Sequence, residues 1–172
     1  MPWGLAAGLL IAAAVPPWGW WPTAFIGLAL LDRLVADRPL SSRFRRGLLV
    51  GAAWAFPSTV WMLDLTPVGW LAAGLLHAGW LGLAAAAVPP GRWRRLGLVG
   101  TVTLAELGRW SVPFGGAPLA SIALGQAGGP LAPVVRIAGP LLLVALTVAV
   151  GMGLSALFDG RRADGASAAT GA

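Results

Sequence analysis

Two charged residues one helical turn apart are the first candidates for chemistry in this sequence. Glu106 and Arg109 stand three positions apart in an apolar stretch, so on a helix they share a face and can form an ion pair. Charges inside apolar segments are costly, which favours a functional interpretation. Two interpretations stay open: a polar site for a lipid headgroup or a neighbouring domain, or an ion pair that closes a helix end.

The other polar candidates stand alone. Arg136 lies near the start of the last apolar stretch, where its side chain can extend to the surface or meet a phosphate. Asp64 marks the end of an earlier stretch, and we expect it to be solvated. His77 is the single histidine, so we expect it to pack between helices rather than bind a metal or relay protons. We predict neither a metal nor a cofactor.

Missing residue types exclude several kinds of chemistry within these residues. The sequence has no cysteine, and all twelve basic residues are arginines. Thiolate nucleophiles, disulfides, cysteine metal sites and lysine-dependent catalysis are therefore excluded within this sequence. Its six acidic residues are scattered, and it contains no serine-hydrolase, zinc-protease or phosphate-loop motif.

The composition predicts the elements that must position these residues. Of the 172 residues, 58% are hydrophobic and 10% are charged, against about a quarter charged in soluble domains. A soluble bundle would need a charged outer face, which these segments do not offer. We predict an all-α, polytopic membrane bundle of about six spans, followed by a disordered polar tail at 159–172. The predicted spans are 3–15, 21–35, 47–63, 69–88, 96–110 and 130–158.

The arginines predict how the bundle is oriented. Ten of the twelve lie in alternate connections or the tail, at positions 33, 38, 43, 45, 46, 92, 94, 95, 161 and 162. Such alternation places both termini on the cytoplasmic side of a multi-pass protein, and it explains the arginines better than nucleic-acid binding does. Tryptophans, Trp61 among them, flank the opposite ends as an interfacial belt would.

Three features of the chain admit further interpretation. Residues 5–15 could also be the apolar part of a signal peptide, or the true start could lie upstream. The Gly/Pro-rich stretch 111–129 predicts irregular backbone. Several glycines are expected to allow close helix contact, namely Gly4, Gly8, Gly74, Gly79 and Gly82.

The order of motifs resembles the apolipoprotein N-acyltransferases. The stretch 16–22 (Pro-Pro-Trp-Gly-Trp-Trp-Pro) is similar to the first outer turn of that family, and 47–51, Trp61 and Pro67 follow in the family's order. The most specific stretch is 104–110 (Leu-Ala-Glu-Leu-Gly-Arg-Trp), followed by 114–118 and by 125–131 (Gly-Gln-Ala-Gly-Gly-Pro-Leu). Order and spacing agree over nearly the whole chain.

This resemblance implies a function. Family members transfer an acyl chain from a phospholipid to the N-terminal cysteine of a diacylated lipoprotein, in the bacterial cytoplasmic membrane. A membrane domain holds lipid, and an outer nitrilase-like domain supplies a Glu, Lys and Cys triad. The resemblance carries four residues over as supports of the lipid and domain interface: Glu106, Arg109, Pro118 and Gln126. We add Trp61 and Arg136 as further candidates for this interface.

The sequence departs from the family pattern in two ways. The family's loop Phe and Trp are Ala117 and Leu119 here. The catalytic half is absent from this sequence, so we expect no activity from the chain alone, whether that half was lost, split off or excluded. A separate nitrilase-like chain is then an expected partner, together with phospholipid and diacylated lipoproteins. The alternatives are a non-catalytic lipid-binding or scaffold protein and, with less support, a small transporter.

Overall fold

The described part of the chain is mainly helical. The computed structural model describes residues 1–112, 115 and 118–170, and only the backbone of 161–170. The α-helices are α1 (Pro2–Ala14), α2 (Pro22–Val35), α3 (Leu40–Ser58), α4 (Pro67–Ala87), α5 (Arg94–Ser111), α6 (Ile122–Gly125) and α7 (Val135–Thr170). Short 3-10 turns occupy Val60–Asp64, Gly91–Trp93 and Ala132–Val134. These ranges contain no strand, so the prediction of an all-α fold is confirmed.

Three of the helices begin at a proline. Pro2, Pro22 and Pro67 occupy the first turns of α1, α2 and α4, where the missing N–H would lack a helical partner anyway. The start of α4 is also capped, because the Thr66 hydroxyl accepts a hydrogen bond from Gly69 N at 3.1 Å. The apolar segments predicted to start at 3, 21 and 69 therefore begin within two residues of these helices.

The bounds of α3 differ from the predicted segment 47–63. The helix begins at Leu40, directly after Pro39, because its arginine-rich first turns are good helix formers despite their polarity. It ends at Ser58, where the hydroxyls of Ser58 and Thr59 donate to the carbonyls four residues earlier, both at 2.8 Å. Such side-chain bonds compete with the backbone ladder, and the chain continues as a 3-10 turn.

The last helix contains a break near its start. Gly139 has φ 73° and ψ −176°, a conformation that favours glycine. Pro140 follows and begins the straight part of α7. The helix then runs to Thr170, so the boundary predicted at 158 is not a helix end. The disorder predicted for 159–172 and the division into domain and tail stay predictions.

The helices pack in alternating directions. Helix α1 packs on α2 and α3, and α3 packs on α4. Helix α4 packs in turn on α5, and α7 packs on both α2 and α5. At one end, Asp32 of α2 contacts Arg94 of α5, and Arg43 of α3 donates to the carbonyl of Val88 after α4. We call this the arginine end, and the opposite one, which contains 118–131, the loop end.

Two helical regions are long and apolar enough to cross a bilayer. They are Pro67–Ala87 and Ala132–Gly160, judged by length and composition. The arginine-rich connections share one end of the bundle, as the predicted topology requires. Six crossings and the sidedness of the termini stay predictions.

Glycines bring neighbouring helices into backbone contact. A Cβ at Gly27 of α2 would lie 2.6 Å from the carbonyl oxygen of Ala7 in α1, and one at Gly47 of α3 would lie 2.7 Å from that of Leu81 in α4. Gly8 of α1 likewise faces the Val50 carbonyl of α3. The prediction fails for Gly79, around which a Cβ would meet nothing within 4 Å.

Gly47→Ala tests this close packing, with Gly79→Ala on the adjoining helix as its control. The added methyl at position 47 must push α3 from α4, so we expect a loss of about 1–3 kcal/mol in unfolding free energy. Gly79→Ala should be neutral or slightly stabilising, because alanine is the better helix former. The measurement is thermal unfolding in detergent, monitored by circular dichroism. Equal stabilities of the two variants would contradict the packing described.

Candidate functional site

The predicted ion pair between Glu106 and Arg109 is present and buried. Both residues lie in the last turns of α5, and a guanidinium N–H of Arg109 donates to a carboxylate oxygen of Glu106. Their side chains are 1% and 3% exposed. A buried charge pair of this kind is costly to break, because either partner alone would be an uncompensated charge.

Arg109 also holds the backbone of the loop that follows α5. Its Nη1 donates to the carbonyl oxygen of Leu119 at 2.7 Å, and its Nη2 to that of Ala120 at 3.3 Å. Ala120 has φ 49°, in the left-handed region that a side chain disfavours. The guanidinium therefore stabilises a turn that the local sequence does not favour.

Glu106 completes the connection from the other side. Its second carboxylate oxygen accepts a hydrogen bond from the Ser121 hydroxyl at 3.0 Å. The same hydroxyl accepts from Ala123 N at 3.1 Å and so caps the short helix α6. The ion pair thus ties 119–121 to α5 through both of its members.

Two residues that sequence analysis did not assign to the site surround the guanidinium. The Trp54 ring of α3 lies 4.8 Å from Cζ of Arg109, a favourable cation–π distance. His77 of α4, 4% exposed, places Nδ1 at 3.4 Å from Nη1. His77 does pack between helices as predicted, but it also contacts the charged group. The space left in this cluster is about 10 Å³, too little for a lipid headgroup.

Gln126 joins the loop to the start of α2. It is fully buried, and its Nε2 donates to the carbonyl oxygen of Trp21 at 2.9 Å. Its Oε1 is buried without a hydrogen-bond partner among the described residues. Glu106, Arg109 and Gln126 are therefore internal supports of the loop, and their side chains do not reach the surface of the described structure.

Two apolar cavities of about 500 Å³ each lie beside this loop. The first, which we call the α7-side cavity, lies between Trp110 of α5, Ser121 and Leu143 of α7. The second, the α1-side cavity, lies between Val15, Trp61 and Leu119. Pro118 and Leu124 line both. Volumes of this size are in the range of small-molecule pockets.

The remaining predicted site residues divide between these cavities and the surface. Trp61 is half exposed and lines the α1-side cavity, and Pro118 lines both cavities. Arg136 is exposed at the first turn of α7 and lines neither cavity. The loop residues at 113, 114, 116 and 117, Ala117 included, lie outside the described residues. The role of all six residues at a lipid or domain interface stays a prediction.

A second buried polar cluster lies at the arginine end and was missed in the sequence. Asp32, fully buried in α2, accepts hydrogen bonds from Arg94 at 2.6 Å, Arg95 at 3.1 Å and the Ser155 hydroxyl at 2.8 Å. The bond to Asp32 raises the pKa of the Arg94 guanidinium, which stays charged. The signal available was an acidic residue within an apolar helix.

The fold and the cavities indicate the class of protein, and a sequence comparison then gives the family. The class is an all-helical protein with two apolar helices of bilayer length and apolar cavities beneath a loop held by buried charges. The model of the family described as "Apolipoprotein N-acyltransferase N-terminal domain" matches residues 7–153. The chain belongs to this family, and the predicted resemblance is confirmed.

A curated relative agrees with this assignment. An apolipoprotein N-acyltransferase from Mycolicibacterium smegmatis is 38% identical over 90 residues, which are 49% of this chain and 15% of that protein. The match thus covers a small part of the relative's length, so the activity of the whole relative comes to this chain only as a proposal.

Glu106→Gln and Arg109→Gln test the buried pair as a double-mutant cycle. Each single change leaves an unpaired buried charge, so we expect a loss of about 3–5 kcal/mol in unfolding free energy. The double variant should lose less than the sum of the two. Arg136→Gln, an exposed arginine, should stay within about 0.5 kcal/mol of the native chain. Additive losses, measured by thermal unfolding in detergent, would contradict the pairing.

Proposed function

We propose that this chain is the lipid-holding membrane domain of a bacterial lipoprotein N-acylation system. The observation behind the proposal is the pair of apolar cavities that share Pro118 and Leu124 in their walls, beside a loop tied to the buried Glu106–Arg109 pair. The family membership supports the same function. The substrate is a phospholipid, and the product is a lipoprotein acylated at its amino terminus.

The proposal includes a membrane topology. Six helical segments cross the cytoplasmic membrane of a bacterium, and both termini face the cytoplasm. The supporting observations are the two apolar regions of bilayer length and the collection of arginine-rich connections at one end of the bundle. The loop end then faces outward, where exposed tryptophans such as Trp20 and Trp61 lie at the membrane interface.

The chemistry divides between this chain and a partner domain. Acyl transfer through a covalent intermediate requires an activated nucleophile, and this sequence contains neither cysteine nor lysine. We propose that a nitrilase-like domain, docked on the loop end, supplies these groups. This chain contributes apolar walls that hold acyl chains and exclude water, and a fixed loop that presents the phospholipid to that domain.

Photolabelling tests whether the cavities hold acyl chains. The chain is reconstituted with a phosphatidylethanolamine that bears a diazirine on one acyl chain, and labelled peptides are identified by mass spectrometry. We expect saturable labelling of the cavity walls. Leu124→Trp should reduce it severalfold, because Leu124 lines both cavities and the larger indole takes up space that the acyl chain would occupy.

Leu104→Trp is the matched control for this experiment. Leu104 lies on α5, is 64% exposed, and lines neither cavity. Its substitution should leave the labelling of the cavity walls unchanged. Labelling that is spread evenly over exposed helix faces and is indifferent to Leu124→Trp would overturn the lipid-holding role.

Complementation tests the division of chemistry. The chain is expressed with and without the nitrilase-like half of an apolipoprotein N-acyltransferase, in cells depleted of that enzyme. We expect triacylated lipopeptides, detected by mass spectrometry, only when both parts are present. Acylation by the chain alone would contradict the assignment of the nucleophile to the partner. Its absence with both parts present, although each is produced in the membrane, would leave a non-catalytic lipid-binding protein as the interpretation.

A further inference from the structure

A recess separate from the loop end lies at the arginine end, between the first turns of α1 and α3 and the last turns of α2. It consists of two adjoining cavities of about 250 and 310 Å³ that share Leu34 in their walls. We call them together the arginine groove. The lining residues that bear on its chemistry are Trp3, Arg33, Leu34, Ser42, Arg45 and Arg46.

One half of the groove is positively charged and lacks a carboxylate partner. Arg45 is exposed, and Arg46 is half buried with its Nε donating to the Ser42 hydroxyl at 3.2 Å. Neither forms a salt bridge with any carboxylate in the part of the chain that the structure describes. Two guanidinium groups on successive residues offer several N–H donors in the geometry that suits a phosphate.

Two other arginines of this end, Arg33 in the wall of the groove and Arg95 outside it, do have carboxylate partners. Both contact Asp159 of α7, and Arg95 also contacts Asp32. Those charges are compensated within the protein and hold helices together. Among the described arginines that line the groove, those without a carboxylate partner are thus Arg45 and Arg46, which line the same half as Ser42.

The other half of the groove is mainly apolar, with Trp3, Leu30 and Leu34 in its wall beside the paired Arg33. Trp3 is 66% exposed at the first turn of α1, a position typical of membrane-interface tryptophans. Leu34 packs against the hydrophobic core and forms the wall common to both cavities. A ligand that follows the groove therefore needs an anionic group at one end and a hydrocarbon portion at the other.

We propose that the arginine groove binds an anionic phospholipid from the leaflet that faces this end of the bundle. The phosphate lies against Arg45 and Arg46, and the first part of one acyl chain follows Trp3 and Leu34. The inference rests on the proposed function only in taking the arginine end as cytoplasmic. It assigns a lipid site distinct from the cavities at the loop end, one that binds lipid without transferring it.

Lipid retention in native mass spectrometry tests the site. The full chain in detergent is titrated with phosphatidylglycerol, and with phosphatidylcholine as a zwitterionic lipid of matched chain length. We expect preferential retention of phosphatidylglycerol. The Arg45→Ala/Arg46→Ala variant should bind it about 30-fold more weakly, given the usual contribution of an arginine near an anionic lipid surface.

Two matched controls separate a site from general charge attraction. Arg38→Ala/Arg92→Ala removes the same charge from exposed positions outside the groove, and it should retain the preference. Ser42→Glu keeps both arginines but places a carboxylate one turn before them, so it should bind as weakly as the double variant. Ser42→Gln, its neutral counterpart, should bind as the native chain does.

Several outcomes would overturn the proposal. These are equal retention of the two lipids, an equal loss in the Arg38→Ala/Arg92→Ala control, or full displacement of phosphatidylglycerol by millimolar inorganic phosphate, which would show a site for free phosphate instead. Thermal unfolding of each variant identifies any that lose binding through misfolding. If the double arginine variant misfolds, the comparison of Ser42→Glu with Ser42→Gln decides whether the groove binds the lipid. Leu124→Trp should retain the phosphatidylglycerol preference, so failure of the loop-end function and failure of this site give different results.

Discussion

The buried Glu106–Arg109 pair is the interaction on which the loop end depends. The carboxylate accepts from Ser121, and the guanidinium donates to the carbonyls of Leu119 and Ala120, so the pair both compensates its own charges and orders the chain that follows. These bonds stabilise Ala120 at its positive φ. Both apolar cavities have walls formed in part by 118–124, the stretch that contains this turn.

Close helix packing is the second constraint, and it makes the ion pair possible. Glycines at helix contacts remove side-chain bulk, so α1 to α4 approach until backbone atoms touch. Trp54 of α3 and His77 of α4 then come within reach of Arg109 on α5. The desolvation cost of the guanidinium is offset by a carboxylate, two carbonyls and an aromatic face.

Features that depend on neighbouring residues, such as helices and pairs one turn apart, were predicted from local patterns in the sequence. Apolar segments between prolines located the helices, and the three-residue spacing of Glu106 and Arg109 predicted their pairing. Contacts between distant positions were beyond this reasoning: Asp32 meets Arg94 and Ser155, which are 62 and 123 residues away. The cavities also escaped it, because they arise from how 118–124 folds back rather than from any single segment. The arginine-rich start of α3 was missed because polarity was taken as the end of a span.

The two polar clusters have a joint mechanical consequence for α5. Its first turn is bound to Asp32 and its last turns to the loop. Arg94 and Glu106 are twelve positions apart in the sequence, or about 18 Å along the axis. A helix fastened at both ends can neither slide nor rotate without breaking a buried charge contact. It therefore acts as a strut that sets the spacing between the arginine end and the loop end.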